Sequence, residues 1–265
     1  MAQAAGGDEM ESVKNYFDTA GFERWNKIYG TTSEVNKVQL DIRTGHAQTV
    51  DKVLKWLQDE GGVRGVSVCD VRPLHKVHTL SASRSVALTT RLGLSPQAGC
   101  GTGSLAIPLA LAGAAVNASD ISSSMVGEAQ RRYDQAVAAP GATAPAASPV
   151  FATSDLESVR GKYHTVTCLD VMIHYPQDKA DAMVQHLASL AEERLILSFA
   201  PKTLAYTVLK RIGELFPGPS KATRAYLHAE ADVEAALARV GWKVKRREMT
   251  ATSFYFSRLL EFVRA

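Results

Sequence analysis

Ala98-Gly99-Cys100-Gly101-Thr102-Gly103-Ser104-Leu105-Ala106-Ile107-Pro108-Leu109 is a glycine-rich turn that runs straight into an apolar helix, Ser104 to Leu111. Glycines at 99, 101 and 103 let the backbone turn sharply and approach a ligand with no Cβ in the way. A GxGxG on its own occurs in many nucleotide-binding chains. Its partner here is Asp120, at the close of the following strand, Ala115 to Ala118. A carboxylate there can accept both hydroxyls of a ribose, and both features fall where a doubly wound fold binds its ligand. The structural alternative is a plain glycine turn and a helix-capping Asp.

Outward from this turn the chain alternates strands and helices. Before it, residues 10–28 predict a helix, and residues about 45–59 another, with Val50, Val53, Leu54 and Leu57 on one face and Gly61-Gly62 as the stop. A short β-type run, Val66 to Asp70, follows. After it, Ser122 can cap a helix from Ser124 to about Val137. Pro140 to Pro149 is an Ala/Pro/Gly-rich stretch that predicts a surface loop. Val150 to Ala152, Thr165 to Met172 and Leu195 to Phe199 read as strands, and Lys179 to Ala191 as a helix. Helices over Leu204 to Phe216 and Glu230 to Val240 come next, then strands about 242–249 and 253–263. The rhythm predicts a seven-stranded, mostly parallel sheet with helices on both faces and an antiparallel C-terminal hairpin. That closing hairpin favours a Rossmann-like class I methyltransferase over a dinucleotide dehydrogenase.

Two further stretches carry chemistry. Ser154-Asp155-Leu156 sets a carboxylate beside an apolar side chain, which suits an adenine amino group and ring face. Asp170-Val171-Met172-Ile173-His174-Tyr175-Pro176 ends the fourth strand, at the edge of the sheet where open α/β folds bind ligands. A lone His is more often structural, but this position makes His174 a functional candidate. The candidate cofactor-binding set is Asp70, Ala98, Gly99, Gly101, Gly103, Asp120, Ile121, Ser154, Asp155, Leu156 and Leu169, for S-adenosylmethionine.

Composition excludes several classes. At 265 residues with 46% hydrophobic content the chain holds one large α/β domain. A formal charge of +3 with no basic cluster gives no argument for nucleic acid. Cys69, Cys100 and Cys168 are isolated, with no spacing for zinc or a disulfide framework, so no protein-bound metal is expected. No window holds the ~18 uninterrupted apolar residues of a membrane span, which predicts a soluble chain. Met1 to Asp8 contains acids and lacks an apolar core, so it is not a transit peptide as it stands.

The chain resembles the magnesium-protoporphyrin IX O-methyltransferase family of chlorophyll biosynthesis. The resemblance rests on Tyr16-Phe17, Gly21-Phe22-Glu23-Arg24-Trp25, Ile28-Tyr29-Gly30, Val35 to His46, the glycine motif, Ala118 to Ser122 and Asp170 to Pro176. It implies transfer of a methyl from S-adenosylmethionine to one propionate of magnesium-protoporphyrin IX. It further implies that Tyr29 and His174 orient or activate the carboxylate. For Tyr29 a helix-end packing aromatic is the bland alternative. Arg43 and His46 meet the second propionate or the cofactor carboxylate on one reading, and are surface charges on another. Residues 1–45 form an N-terminal helical arm or lid, residues 46–265 the methyltransferase domain, 139–149 a flexible loop and 203–228 a lid segment. The family also suggests a handover from the porphyrin-binding subunit of magnesium chelatase, peripheral membrane association and a chloroplast location (stroma or plastid membrane), or the cytoplasm if the source is cyanobacterial.

One segment departs from the family. Its first strand runs directly into the glycine motif, whereas here Val71 to Gln97 intervenes, 27 residues without an Asp or Glu. Its four Arg and Lys exceed the whole chain's excess of +3. Val codons begin GT and one Gln codon ends AG, the ends of an in-frame intron. A retained intron is one reading and a surface insertion the other, since loop closure costs grow slowly with length. Rivals in function are a quinone-type O-methyltransferase, an NAD-dependent oxidoreductase, and a porphyrin-binding protein inactivated by residues 71–97.

Overall fold

The structure, a computed structural model, describes residues 18–30, 34–70, 100–142, 145, 147–202 and 226–265. The segment 71–97, the predicted helix Leu204 to Phe216, and the candidate site residues Ala98 and Gly99 lie outside the described residues.

Seven strands form one sheet in the order β3-β2-β1-β4-β5-β7-β6. They are β1 (Ser67–Asp70), β2 (Ala115–Asp120), β3 (Val150–Thr153), β4 (Tyr163–Cys168), β5 (Ala191–Phe199), β6 (Trp242–Ala251) and β7 (Phe256–Arg264). The first five pair in parallel, and β7 runs antiparallel to both β5 and β6. The chain order reverses between β1 and β4, so the C-terminal ends of these two strands flank the crevice in which such sheets bind ligands. This is the predicted seven-stranded class I methyltransferase sheet with its C-terminal antiparallel hairpin.

Helices α1 (Ala20–Ile28), α2 (Lys37–Asp59), α3 (Ala106–Leu111), α4 (Ser123–Ala138), α5 (Gln177–Leu190) and α6 (Glu230–Ala238) complete the described elements. On one face Val184, Leu187 and Leu237 of α5 and α6 pack with Val166, Leu195 and Phe262 of the sheet. On the other, Val53, Trp56 and Leu57 of α2 and Leu109 of α3 pack with Val68 and Val116. Two buried layers on a central sheet follow from strands apolar on both sides and helices apolar on one.

Of the element boundaries that differ from the sequence expectation, two bear on the site. Helix α2 begins at Lys37 rather than near 45, because Asn36 and Gln39 form a reciprocal capping box: Gln39 N–H donates to Asn36 Oδ1 at 2.9 Å and Asn36 N–H to Gln39 Oε1 at 3.1 Å. The helix is therefore continuous across residue 45. Strand β4 stops at Cys168 rather than Met172, because Asp170 takes φ +57° and Met172–His174 forms a 3-10 turn. An unbroken apolar run conceals such a break.

Candidate active site

The glycine turn is bonded to the end of β2. Cys100 N–H donates to the Ser119 carbonyl at 3.2 Å, and Gly101 N–H to Asp120 Oδ2 at 3.0 Å. The other carboxylate oxygen accepts from Ser122 N–H at 2.9 Å, and Asp120 is buried. Gly101 has φ +49°, and a Cβ there would meet no atom of the described residues within 4 Å. Gly103, at φ +85°, is tight for a different reason: a Cβ would lie 2.6 Å from Ile107 Cδ1.

Asp70 ends β1 and accepts from the Thr167 hydroxyl at 3.1 Å. Tyr29, His46, Asp70, Gly101, Thr102 and Leu169 line one narrow recess of about 20 Å³, which shares Tyr29, His46 and Thr102 with a groove of about 360 Å³, within the scale of small-molecule sites. Each Asp120 carboxylate oxygen accepts from a backbone amide, which fixes the carboxylate at the turn. A bare glycine backbone, a carboxylate fixed at the end of β2 and a recess at the ends of β1 and β4 have the chemistry to meet the ribose and amino-acid ends of S-adenosylmethionine.

The Ser154–Leu156 stretch adjoins this corner. Ser154 N–H donates to the Asp120 carbonyl at 3.0 Å, and Asp155 Oδ1 caps a 3-10 turn by accepting from Glu157 N–H at 3.1 Å. Leu156 packs into the core beside β4 and α5, and Ile121 is buried next to Asp120.

Asp170 is the one non-glycine residue at positive φ among the described residues. Its Oδ2 lies 2.8 Å from His46 Nδ1 and accepts from the Tyr255 hydroxyl at 2.7 Å. Its Oδ1 accepts from Ser198 at 2.9 Å and Ser257 at 3.2 Å. Burial alone would raise this carboxyl. The hydrogen bond and charge of His46, with the Tyr255 and Ser198 hydroxyls, outweigh it and hold the pKa at about 2. His46 is thus neither a surface charge nor a free cation.

Tyr29 caps the C-terminal end of α1, and its ring lies 4.5 Å from that of His46 and 5.3 Å from Trp25, centroid to centroid. Arg43 donates to the Ile28 and Lys27 carbonyls at 2.7 and 2.6 Å, so its guanidinium serves the end of α1. His174 stands half-buried on the turn after Asp170; among the described residues it is not part of the recess wall. That turn is held by His228 Nε2, 2.8 Å from the Met172 carbonyl, and by Tyr226 N–H, donating to Ile173 at 2.7 Å.

The sequence reading passed over Arg132, Tyr255 and His228. Arg132 of α4 donates to the Tyr29 carbonyl, the Thr102 hydroxyl and Asn26 Oδ1 at 2.7–2.9 Å. Its only local signal is Glu128 one turn earlier, which reads as an ordinary helix pair. Among the described residues no group of three or more His, Cys, Asp or Glu is placed to hold a metal, and no helix is long and apolar enough to cross a membrane.

Comparison with known proteins gives the chain's relatives. Residues 168–264 match the family model "Magnesium-protoporphyrin IX methyltransferase C-terminus", and residues 97–193 match a general methyltransferase domain. The chain is 54% identical over 264 residues to the chloroplastic magnesium protoporphyrin IX methyltransferase of Arabidopsis thaliana, covering 99% of this chain and 74% of the relative. It is 51% identical to the magnesium-protoporphyrin O-methyltransferase of a Synechocystis strain, covering 97% of each. The crystal structure of magnesium protoporphyrin IX methyltransferase from Synechocystis PCC 6803 with bound SAH superposes with a TM-score of 0.77 at 50% identity, over 96% of this chain and 98% of that one.

Proposed function

The chain belongs to the magnesium-protoporphyrin IX O-methyltransferase family, and from that premise we propose how its residues divide the work. It is an S-adenosylmethionine-dependent enzyme that methylates a propionate of magnesium-protoporphyrin IX, giving the monomethyl ester. When bound, S-adenosylmethionine supplies a methyl group on a sulfonium, with a neutral thioether as leaving group. A propionate is ionised at neutral pH, so the nucleophile arrives without need of a base. What remains for the protein is alignment of the carboxylate and exclusion of water.

Gly101, Gly103, Asp70 and Asp120, with Leu169 and the Ile121 and Ser154–Leu156 backbone corner, hold the co-substrate. Tyr29, at the recess, and His174, on the turn after Asp170, are the residues assigned to orient the acceptor carboxylate. The observation that carries this reading is the single recess bounded by Asp70 and Gly101 on the sheet side and by Tyr29 on the arm side. Residues 1–45 act as an arm over it, with α1 fastened to the glycine turn through Arg132. Residues 203–228 act as a second cover, whose end bonds to the turn that carries His174. Ala98 and Gly99, outside the described residues, are assigned to the same co-substrate set.

The reading is tested with Tyr29→Phe and His174→Ala. Each lowers kcat by about 10²-fold, the scale of lost orientation or proton-transfer groups, while product S-adenosylhomocysteine binds as before. Wild-type kcat in both variants would remove them from the acceptor end.

Val71 to Gln97 is read as intronic sequence absent from the mature enzyme. The reading rests on the segment's position inside the cofactor turn and on its lack of any Asp or Glu. A mature transcript that encodes these residues would refute this. A second reading, a porphyrin-binding protein silenced by the same segment, predicts porphyrin binding without methyl transfer. A plastid location follows the chloroplastic relative in Arabidopsis. Docking of the porphyrin-carrying subunit of magnesium chelatase and peripheral membrane contact complete the proposal, and co-sedimentation with either partner tests them.

A further inference from the structure

We propose that His46, held by Asp170, is the positioning residue that sets the Tyr29 ring at the mouth of the cofactor recess. The inference rests on the reading of Tyr29 as an acceptor-end residue and supplies the cause of its placement. Tyr29 sits where α1 ends, so the helix itself does not fix its ring. One ring neighbour, Trp25, belongs to the same helix and moves with it. Among the described residues the ring neighbour outside that helix is His46 on α2, at 4.5 Å and an interplanar angle of 41°.

His46 is in turn fixed from the sheet. Its Nδ1 lies 2.8 Å from Asp170 Oδ2, and the two side chains are 12% and 16% exposed. Asp170 is anchored by hydroxyls from two other strands or their ends, Ser198 and Ser257, and by Tyr255, while its own N–H donates to Ser198 Oγ at 2.8 Å. A non-glycine residue in the left-handed region costs about 1–2 kcal/mol and persists where its surroundings over-determine it, commonly at functional sites. Packing prevents α2 from sliding: a Cβ on Gly45 would lie 2.3 Å from the Tyr255 ring. The path therefore runs from the β4, β5 and β7 ends, through Asp170 and His46, to Tyr29. Both Tyr29 and His46 line the recess and the groove beside it, so a displaced imidazole displaces the ring at the mouth.

Two substitutions separate the halves of this role. His46→Asn keeps a donor near Nδ1 for Asp170 and removes the ring. His46→Phe keeps a ring against Tyr29 and removes the donor. Each is made in the wild-type and Tyr29→Ala backgrounds, and kcat, KM for both substrates, S-adenosylhomocysteine affinity and thermal stability are measured. Asp41→Asn is the structural control, because Asp41 ties the same helix to the β6–β7 turn by accepting from Thr252 Oγ1 at 2.6 Å and Phe254 N–H at 2.7 Å. Each His46 variant loses about tenfold in kcat, the effect of a small misplacement, and the loss vanishes on Tyr29→Ala. Product affinity stays within about twofold, and Asp41→Asn lowers thermal stability with kcat retained. Equal losses in both backgrounds, unchanged kcat in both His46 variants, or an equal kcat loss in Asp41→Asn would overturn the proposal. Full activity of Tyr29→Ala alone would instead remove the premise about Tyr29, and the proposal with it.

Discussion

Arg132 Nη1 lies 2.8 Å from the carbonyl oxygen of Tyr29 and 2.9 Å from the hydroxyl of Thr102, so one guanidinium joins the arm helix to the glycine turn. The same side chain is oriented by Glu128 at 2.8 Å and reaches Asn26 Oδ1 at 2.7 Å. Lysine keeps the charge but not the planar fork that makes these bonds together. Arg132→Lys therefore weakens S-adenosylmethionine binding by about tenfold, the worth of one charge-assisted bond. Isothermal calorimetry checks it, and an unchanged affinity would mean that the arm is held by other contacts.

The two described glycines of the turn are constrained by different neighbours, and alanine separates them. At Gly101, which lines the recess, the added methyl meets no atom of the described residues within 4 Å. Gly101→Ala is expected to fold, at a cost of about 1 kcal/mol for its positive φ, and to lose S-adenosylmethionine affinity by at least about tenfold. At Gly103 the methyl meets Ile107 Cδ1 at 2.6 Å and the backbone is at φ +85°. Gly103→Ala destabilises the fold by about 2 kcal/mol or more, read as a lowered urea midpoint.

Asp170 makes stability depend on pH in a definite direction. Its pKa of about 2 lies below the ordinary carboxylate value, so the native state favours the ionised form. Its contribution, about 2 kcal/mol, is complete above pH ~4 and is lost as pH falls towards 2. Asp170→Asn should therefore be less stable than wild type at pH 7, with the gap narrowing as pH falls below 4. Urea titrations at pH 7, 4 and 3 measure it, and a pH-independent gap would contradict the assignment.

Another buried carboxylate, Glu261, lies on β7 and is not among the residues that line the recess. Burial raises its pKa, and it is met by Arg194 Nε at 2.9 Å and Arg246 Nε at 2.8 Å. Removing one charge from a buried cluster leaves its partners uncompensated. Glu261→Gln should cost about 3 kcal/mol by denaturant unfolding, with S-adenosylmethionine affinity unchanged in the folded enzyme.

These sites differ in how far they could be read from sequence. The glycine turn and Asp120 were legible because both belong to one contiguous βαβ unit with characteristic spacing. The capping box at Asn36 and Gln39 was equally local, and the early start of α2 was readable from it. Strand β4 was overrun because Leu169, Val171 and Met172 continue its apolar run, while the break is a backbone conformation at Asp170. His46 could be picked out as a candidate, but its partner lies 124 residues away in sequence, and only the folded sheet brings the pair together. Arg132 was invisible for the same reason: its helix partner Glu128 is local, whereas its contacts to Asn26, Tyr29 and Thr102 are tertiary.

The most direct measurement is methyl transfer itself. Magnesium-protoporphyrin IX and methyl-labelled S-adenosylmethionine are incubated with the chain as it stands and with a chain lacking Val71–Gln97, and the porphyrin product is read by mass spectrometry. The account predicts a singly labelled monomethyl ester from the shortened chain, abolished by His174→Ala. A shortened chain that binds S-adenosylhomocysteine yet yields no labelled ester would contradict it.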